Sequence, residues 1–215
     1  MKLKIAILIL ITCVACSSPL KQATVTSPNE TVTVNFNLTE KGEPTYQVLF
    51  KNEVVIDTSF LGFEFVDSNP IKDNLELKAF GIVAKDDAWE MPWGEQLKVE
   101  NKYNELIVFL VEKQSNRSVN VVFRVHDDGV GFRYEFQQQE GWTEALIKEE
   151  KTQFNLTEDY KTFWIPGDWD IYEHLYNTTK LSELNALLYA NHKDLAQTDI
   201  PENAVNTPVT MVGAD

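Results

Sequence analysis

The run TVTVNFNL (residues 31–38) constrains this chain more than any other stretch, because its apolar and polar residues alternate strictly. Val32, Val34, Phe36 and Leu38 fall on one side of an extended backbone, with threonines and asparagines on the other. A period of two belongs to a strand with one face on a core; a helix would scatter these residues around its girth. EKGEPT then breaks the pattern and YQVLF resumes it, as across a hairpin turn. EVVID, LGFEFV, LELKAFGIVA, ELIVFLVEK, VNVVFRVHD and GFRYEF continue the series at short intervals. Many short strands without a fixed-period repeat predict an all-β fold, an antiparallel β-sandwich, and argue against a propeller or solenoid. With 43% hydrophobic residues among 215, the chain can fill such a core as one large domain, or one domain plus a fragment.

Helical spacing occurs once. Leu181, Leu184, Leu187 and Leu188 in KLSELNALLYA would form a turn or two of amphipathic helix, with a long loop as the alternative. NHKDLAQTDIPENAVN after it is polar and reads as a surface loop. NTPVTMVGAD then opens a fresh strand followed by turn residues, which calls for a pairing partner. The chain is therefore expected to be a piece of a longer protein.

Residues 1–16, MKLKIAILILITCVAC, combine a lysine-bearing start, a short apolar run and a small-residue exit, the pattern of a secretory signal. CVAC followed by SSP resembles a bacterial lipobox, which makes Cys16 the lipidation site, although Cys13 stands where leucine is usual. A polar tether (17–26) would then lead into the sandwich domain (27–215), held at the periplasm or outer membrane of a Gram-negative cell by its lipid alone. Both cysteines lie in the leader, so the mature domain holds no disulfide, no thiol nucleophile and no cysteine-bearing zinc site. The formal charge of −14 becomes more negative once Lys2 and Lys4 are discounted. Such a surface repels phosphate backbones and excludes nucleic acid as a partner; it suits neutral ligands or cations.

Chemistry-bearing patterns are few. There is no Gly-x-Ser-x-Gly elbow, P-loop or Gly-x-Gly-x-x-Gly, and His126, His174 and His192 all sit among polar residues. HDDGVGF (126–132) lies between two strands, so Asp127 and Asp128 read as a hairpin turn, not a metal site, with Gly129 or Gly131 at positive φ. WEMPWGE (89–95) has two readings: Trp89 and Trp93 plug the end of the sandwich core, or they stack on sugar beside carboxylates. The plug accords with how often tryptophan is largely buried. FWIPGDWDIYEHLY (163–176) turns at Pro166-Gly167 and then presents Asp168, Asp170 and Glu173. Three carboxylates are too few to enclose calcium, so a metal here would draw most of its ligands from elsewhere; a solvated acidic loop is the simpler reading.

WEMPWGE, NKYNEL (101–106), FRVHDDGVGFRYEF (123–136), IKEEKTQF (147–154) and FWIPGDWD (163–170) occur in this order. Together they resemble the N-terminal domain of glycoside hydrolase family 97, over the stretch from about Ser27 to the last residue. The resemblance implies a super-sandwich of the galactose-mutarotase type preceding a catalytic (β/α)₈ barrel. It further implies an exo-acting bacterial enzyme, often periplasmic or lipid-anchored, that removes α-linked glucose or galactose from oligosaccharide ends, with the glucosidase branch favoured. A calcium ion at the sugar site is implied as well. The barrel would supply the catalytic carboxylates, none of which lies in these residues, while the sandwich would lend the ion Glu173, with Asp168 and Asp170 left as turn residues. Aromatics from Trp164 to Tyr176 would pack the seam with the barrel. The family's usual tyrosine after that glutamate is His174 here. A non-catalytic envelope lipoprotein that binds carbohydrate through WEMPWGE and the later aromatic cluster (163–176) is the alternative.

Overall fold

The computed structural model describes residues 20–168, 171–190 and 200–213. The leader with Cys16, residues 17–19 of the tether, and Asp170 and His192 lie outside the described residues. The described chain divides into two compact units: residues up to Val54 with Thr58–Phe154, and Val55–Asp57 with the residues from Asn155 onward.

The first unit is the predicted antiparallel sandwich. One sheet begins β1 (Gln22–Thr26), β2 (Val32–Leu38), β3 (Pro44–Phe50) and β4 (Glu53–Phe60), each hydrogen-bonded to the next. The alternation that predicted β2 is realised literally: Val32, Val34, Phe36 and Leu38 are buried. The β2–β3 hairpin closes through Thr39 N–H donating to Glu43 O (3.0 Å), with Gly42 at φ 74°. Lys51 and Asn52 both take positive φ (49° and 69°), the backbone of a type I′ hairpin loop, and join β3 to β4. After the short β5 (Phe63–Phe65) comes the second sheet, in the order β6 (Leu75–Glu90), β7 (Lys98–Glu112), β8 (Ser118–His126), β9 (Gly129–Glu135). β10 (Ile147–Glu150) pairs with β5.

The core is filled from the inner faces of both sheets. Val34, Phe36, Leu106, Val108 and Phe123 are fully buried, each contributing about 1.5–3 kcal/mol. The Phe36 and Phe123 rings meet at 6.5 Å, and Tyr46 leans on Phe123 at 6.0 Å. Burial holds the Tyr46 phenol well above its usual range, so its O–H stays protonated and donates to Gln153 O (2.7 Å). A polar hub closes the far end of β7. Glu112, 2% exposed, accepts from the Gln114 and Ser115 amides (2.9 and 2.7 Å) and from the Ser115 hydroxyl. Arg117 beside it stacks over Trp142 at 4.9 Å.

The second unit contains β11 (Asn155–Leu156), which pairs with Ile56 and Asp57 of β4. It also holds a three-stranded sheet in which β12 (Lys161–Trp164) lies between β13 (Asn177–Lys180) and β14 (Thr210–Val212). β14 is the strand anticipated in NTPVTMVGAD, and β12 supplies its partner. The expected helix is a 3₁₀ turn (Leu181–Glu183) followed by α1 (Ala186–Tyr189). Its buried residue is Ala186; Leu187 and Leu188 are 48% and 72% exposed, so the leucine stripe does not face inward as its spacing suggested.

Candidate functional site

The acidic-aromatic turn begins where β12 ends. Trp164 is wholly buried, donates its indole N–H to Thr179 Oγ1 (3.0 Å) and meets Tyr189 edge-on at 5.5 Å. Ile165 is buried beside it, and Pro166 bridges to Val205. At Gly167 the backbone runs so close to the neighbouring segment that a Cβ would stand 2.9 Å from Ala204; its N–H donates to Ala204 O (2.9 Å). This close approach is what the Pro-Gly corner makes possible. An open cleft of about 410 Å³ lies alongside, lined by Gly167, Asp168, Pro201, Ala204, Val205 and Asn206.

Asp168 departs from the solvated turn residue expected of it. Its side chain is fully buried and its Oδ2 lies 3.0 Å from Nε2 of His174, whose side chain is equally buried. The polar neighbours of His174 in the sequence gave no sign of this, because burial here comes from the fold of the loop and not from a local apolar pattern. Glu173, between buried His174 and exposed Tyr172, faces outward. Its Oε2 accepts from the Tyr172 amide (2.8 Å). The Tyr172 hydroxyl reaches Thr207 O at 3.4 Å, and a hydrogen bond with Tyr176 holds the Tyr172 phenol above its usual range. Tyr172, Leu175 and Tyr176 are 50–65% exposed, so the turn displays an accessible carboxylate set among apolar groups.

Among the described residues no three His, Cys, Asp or Glu side chains converge to hold a metal ion. An outward carboxylate between two anchored neighbours is compatible with a calcium ligand lent to a shared site, and not with a site closed by this loop alone.

The other singled-out motifs resolve differently. Asp127 and Asp128 form the two-residue β8–β9 loop as expected, and Asp127 Oδ1 accepts the Asn29 amide (2.9 Å). Positive φ is found at neither Gly129 nor Gly131; the register closes at His126↔Gly129 with ordinary backbone. Trp89 and Trp93 do not plug the core: they are 50% and 83% exposed, at and beyond the end of β6.

An antiparallel sandwich carrying these motifs in this order is matched by the N-terminal domain of glycoside hydrolases. The chain belongs to glycoside hydrolase family 97: the family's N-terminal domain, described as Glycosyl-hydrolase 97 N-terminal, matches residues 25–215. A variant family 97 enzyme from Pseudoalteromonas sp., solved in complex with panose, is 34% identical with a TM-score of 0.71. That match covers 75% of this chain and 25% of the enzyme. The acarbose complex of a family 97 enzyme from Pseudoalteromonas sp. aligns at 35% identity and TM-score 0.69, covering 73% and 24%. A β-arabinopyranosidase crystal structure aligns at 26% identity and TM-score 0.63, covering 68% and 23%. The chain thus spans about a quarter of the length of these enzymes.

Proposed function

We propose that this chain is the N-terminal sandwich of a calcium-dependent, exo-acting α-glycosidase that removes terminal α-linked hexoses from oligosaccharides. In this reading the domain packs on a catalytic (β/α)₈ barrel of the same polypeptide and lends Glu173 to a calcium ion at the sugar site. The observation that carries it is the presentation of Glu173, exposed on a turn whose two flanking residues are tied down on either side. Calcium, when bound, supplies a fixed positive charge beside the saccharide. The chain's own part is to aim one carboxylate and to hold it still, which limits the reorganisation needed to complete the site.

An α-glucosidase is favoured over an α-galactosidase. Panose is an α-linked glucose trisaccharide, and the enzymes solved with panose and with acarbose are the more similar relatives, at 34–35% identity. The arabinopyranosidase, whose sugar shares the ring configuration of α-galactose, stands at 26%. Lipidation of Cys16 would hold the enzyme at the periplasmic or outer-membrane surface, a reading that incorporation of a palmitate analogue into wild type but not Cys16→Ala would test.

The test of the site is calcium titration of the polypeptide comprising this domain and its barrel, wild type against Glu173→Gln. Affinity should fall by at least about tenfold, since losing even a group that supports a metal ligand costs about ten- to a hundredfold. Equal affinity would remove Glu173 from the site. The 215-residue chain alone should not turn over an aryl α-glucoside, because the barrel carries the catalytic carboxylates in this reading.

A further inference from the structure

The β6–β7 hairpin carries two unlike faces on its outer half. Beyond the Lys85↔Tyr103 pair the register is regular, with Asp86↔Lys102, Asp87↔Asn101, Ala88↔Glu100, Trp89↔Val99 and Glu90↔Lys98 opposite one another. Alternation therefore puts Asp86, Lys102, Glu100 and Lys98 on one side. There Lys102 pairs with Asp86 (3.8 Å) and Lys98 with Glu100 (3.4 Å), an ordinary solvated face. The opposite side carries Lys85, Tyr103, Asp87, Asn101 and Trp89.

On that side the groups are arranged in a row. Tyr103 is 4% exposed, covered by the Arg124 guanidinium and the His126 ring, each 4.9 Å from its centroid, and forms a rigid floor. Next, Asn101 donates Nδ2–H to Asp87 Oδ1 at 2.6 Å, which ties the carboxylate to the carboxamide. Two residues further along β6, about 7 Å away by strand geometry, the half-exposed indole of Trp89 lies on the same face. Trp93 follows at the tip, 83% exposed.

We infer that this face is a saccharide-binding platform, built from other residues than the turn that carries Glu173. Trp89 would take the C–H face of a pyranose, and the Asp87–Asn101 pair would take two neighbouring hydroxyls. A hexose is amphipathic in this way, with apolar ring faces and a hydroxyl rim. The pair retains the capacity it needs: the carboxylate accepts further hydrogen bonds, and the carboxamide keeps its carbonyl and a second N–H. The occupant is a neutral glycan. A protein partner would have to bury Lys85 and Asp87, and charged residues are depleted from interface cores. An anionic ligand would meet Asp87 on a chain of net charge −14. Trp93 would provide a second stacking surface for the next sugar of an oligosaccharide.

Titration of the 215-residue chain with maltotetraose, followed by tryptophan fluorescence and calorimetry, tests the platform without any barrel. Saturable binding is expected, weakened about tenfold or more by Trp89→Ala and by Asp87→Ala and less by Trp93→Ala. Lys102→Ala, on the ion-paired face, should leave it unchanged. All four side chains are exposed, and a common urea midpoint would show that the variants fold alike. The inference is overturned if wild type shows no saturable binding, if Trp89→Ala binds undiminished, or if Lys102→Ala weakens binding equally. Self-association through this face in place of sugar binding would also overturn it. Loss of calcium affinity in Glu173→Gln is independent of every one of these outcomes.

Discussion

Asp168 Oδ2 and His174 Nε2 lie 3.0 Å apart, with neither side chain reaching solvent. They stand six positions apart in the chain, so one buried contact clips both ends of the turn that displays Glu173. His174→Leu removes that contact from a buried carboxylate and should cost about 1–3 kcal/mol of stability. Denaturant unfolding measures the loss. Hydrogen exchange at the amides of Tyr172 to Tyr176 should quicken in the same variant; exchange unchanged from wild type would mean that the pair does not hold the turn.

Trp164 makes a second, separable prediction. Its indole N–H is buried and donates to Thr179 Oγ1. Thr179→Val keeps the shape of the side chain and deletes the acceptor, leaving the indole donor without this bond, at a cost of about 1–2 kcal/mol. Thr179→Ser keeps the acceptor and should fall nearer to wild type. Urea midpoints of the two variants, with tryptophan emission as the probe, decide between hydrogen bonding and packing as the role of Thr179.

The sandwich was legible because its strands have one wet face. In β2 every second residue is buried, so the period appears directly in the letters. β6 shows the limit of that logic: LELKAFGIVA reads as a core strand, yet Phe80, Ile82 and Val83 are 40–51% exposed. Sequence reports apolarity, not what covers it. The same gap explains Trp89 and Trp93, whose burial was inferred from residue type while a hairpin carried them away from the core. At the acidic turn, Glu173 was singled out by resemblance and the Asp168–His174 pair was not seen at all. Polar residues in a loop carry no periodic signal, and only the folded path brings these two together.

Glu112 should make the first unit sensitive to acid. Burial alone would push its carboxyl upward. Donation from the Ser115 hydroxyl and the Gln114 and Ser115 amides, with Arg117 nearby, more than offsets this and holds it below the ordinary carboxylate range. A carboxyl depressed in the folded state stabilises fully above its unfolded pKa, and that contribution is lost as pH falls through the folded value. At neutral pH Glu112→Gln should therefore be less stable than wild type by about 2 kcal/mol. The gap should narrow as pH is lowered from about 5 to about 3, since the glutamine has no charge to lose. Parallel urea curves at each pH would test the sign; a gap that widens on acidification would contradict it.

Gly42 gives the sharpest local test of the hairpin that sets the β2–β3 register. Its φ of 74° is left-handed, and a Cβ there would stand 2.6 Å from Leu75 O and 2.7 Å from Leu75 N. Both clashing atoms are backbone at the start of β6, so no side chain can swing aside to relieve them. The left-handed conformation alone costs a residue with a Cβ about 1–2 kcal/mol. The forced displacement of Leu75, whose N–H donates to Gly42 O at 3.0 Å, adds to this. Gly42→Ala should thus lose at least about 2 kcal/mol in thermal or urea unfolding. Gly129→Ala, where no atom stands within 4 Å of the added carbon and φ is not left-handed, should lose little and serves as the control. Equal losses in the two variants would show that this close approach is not what specifies glycine at the turn.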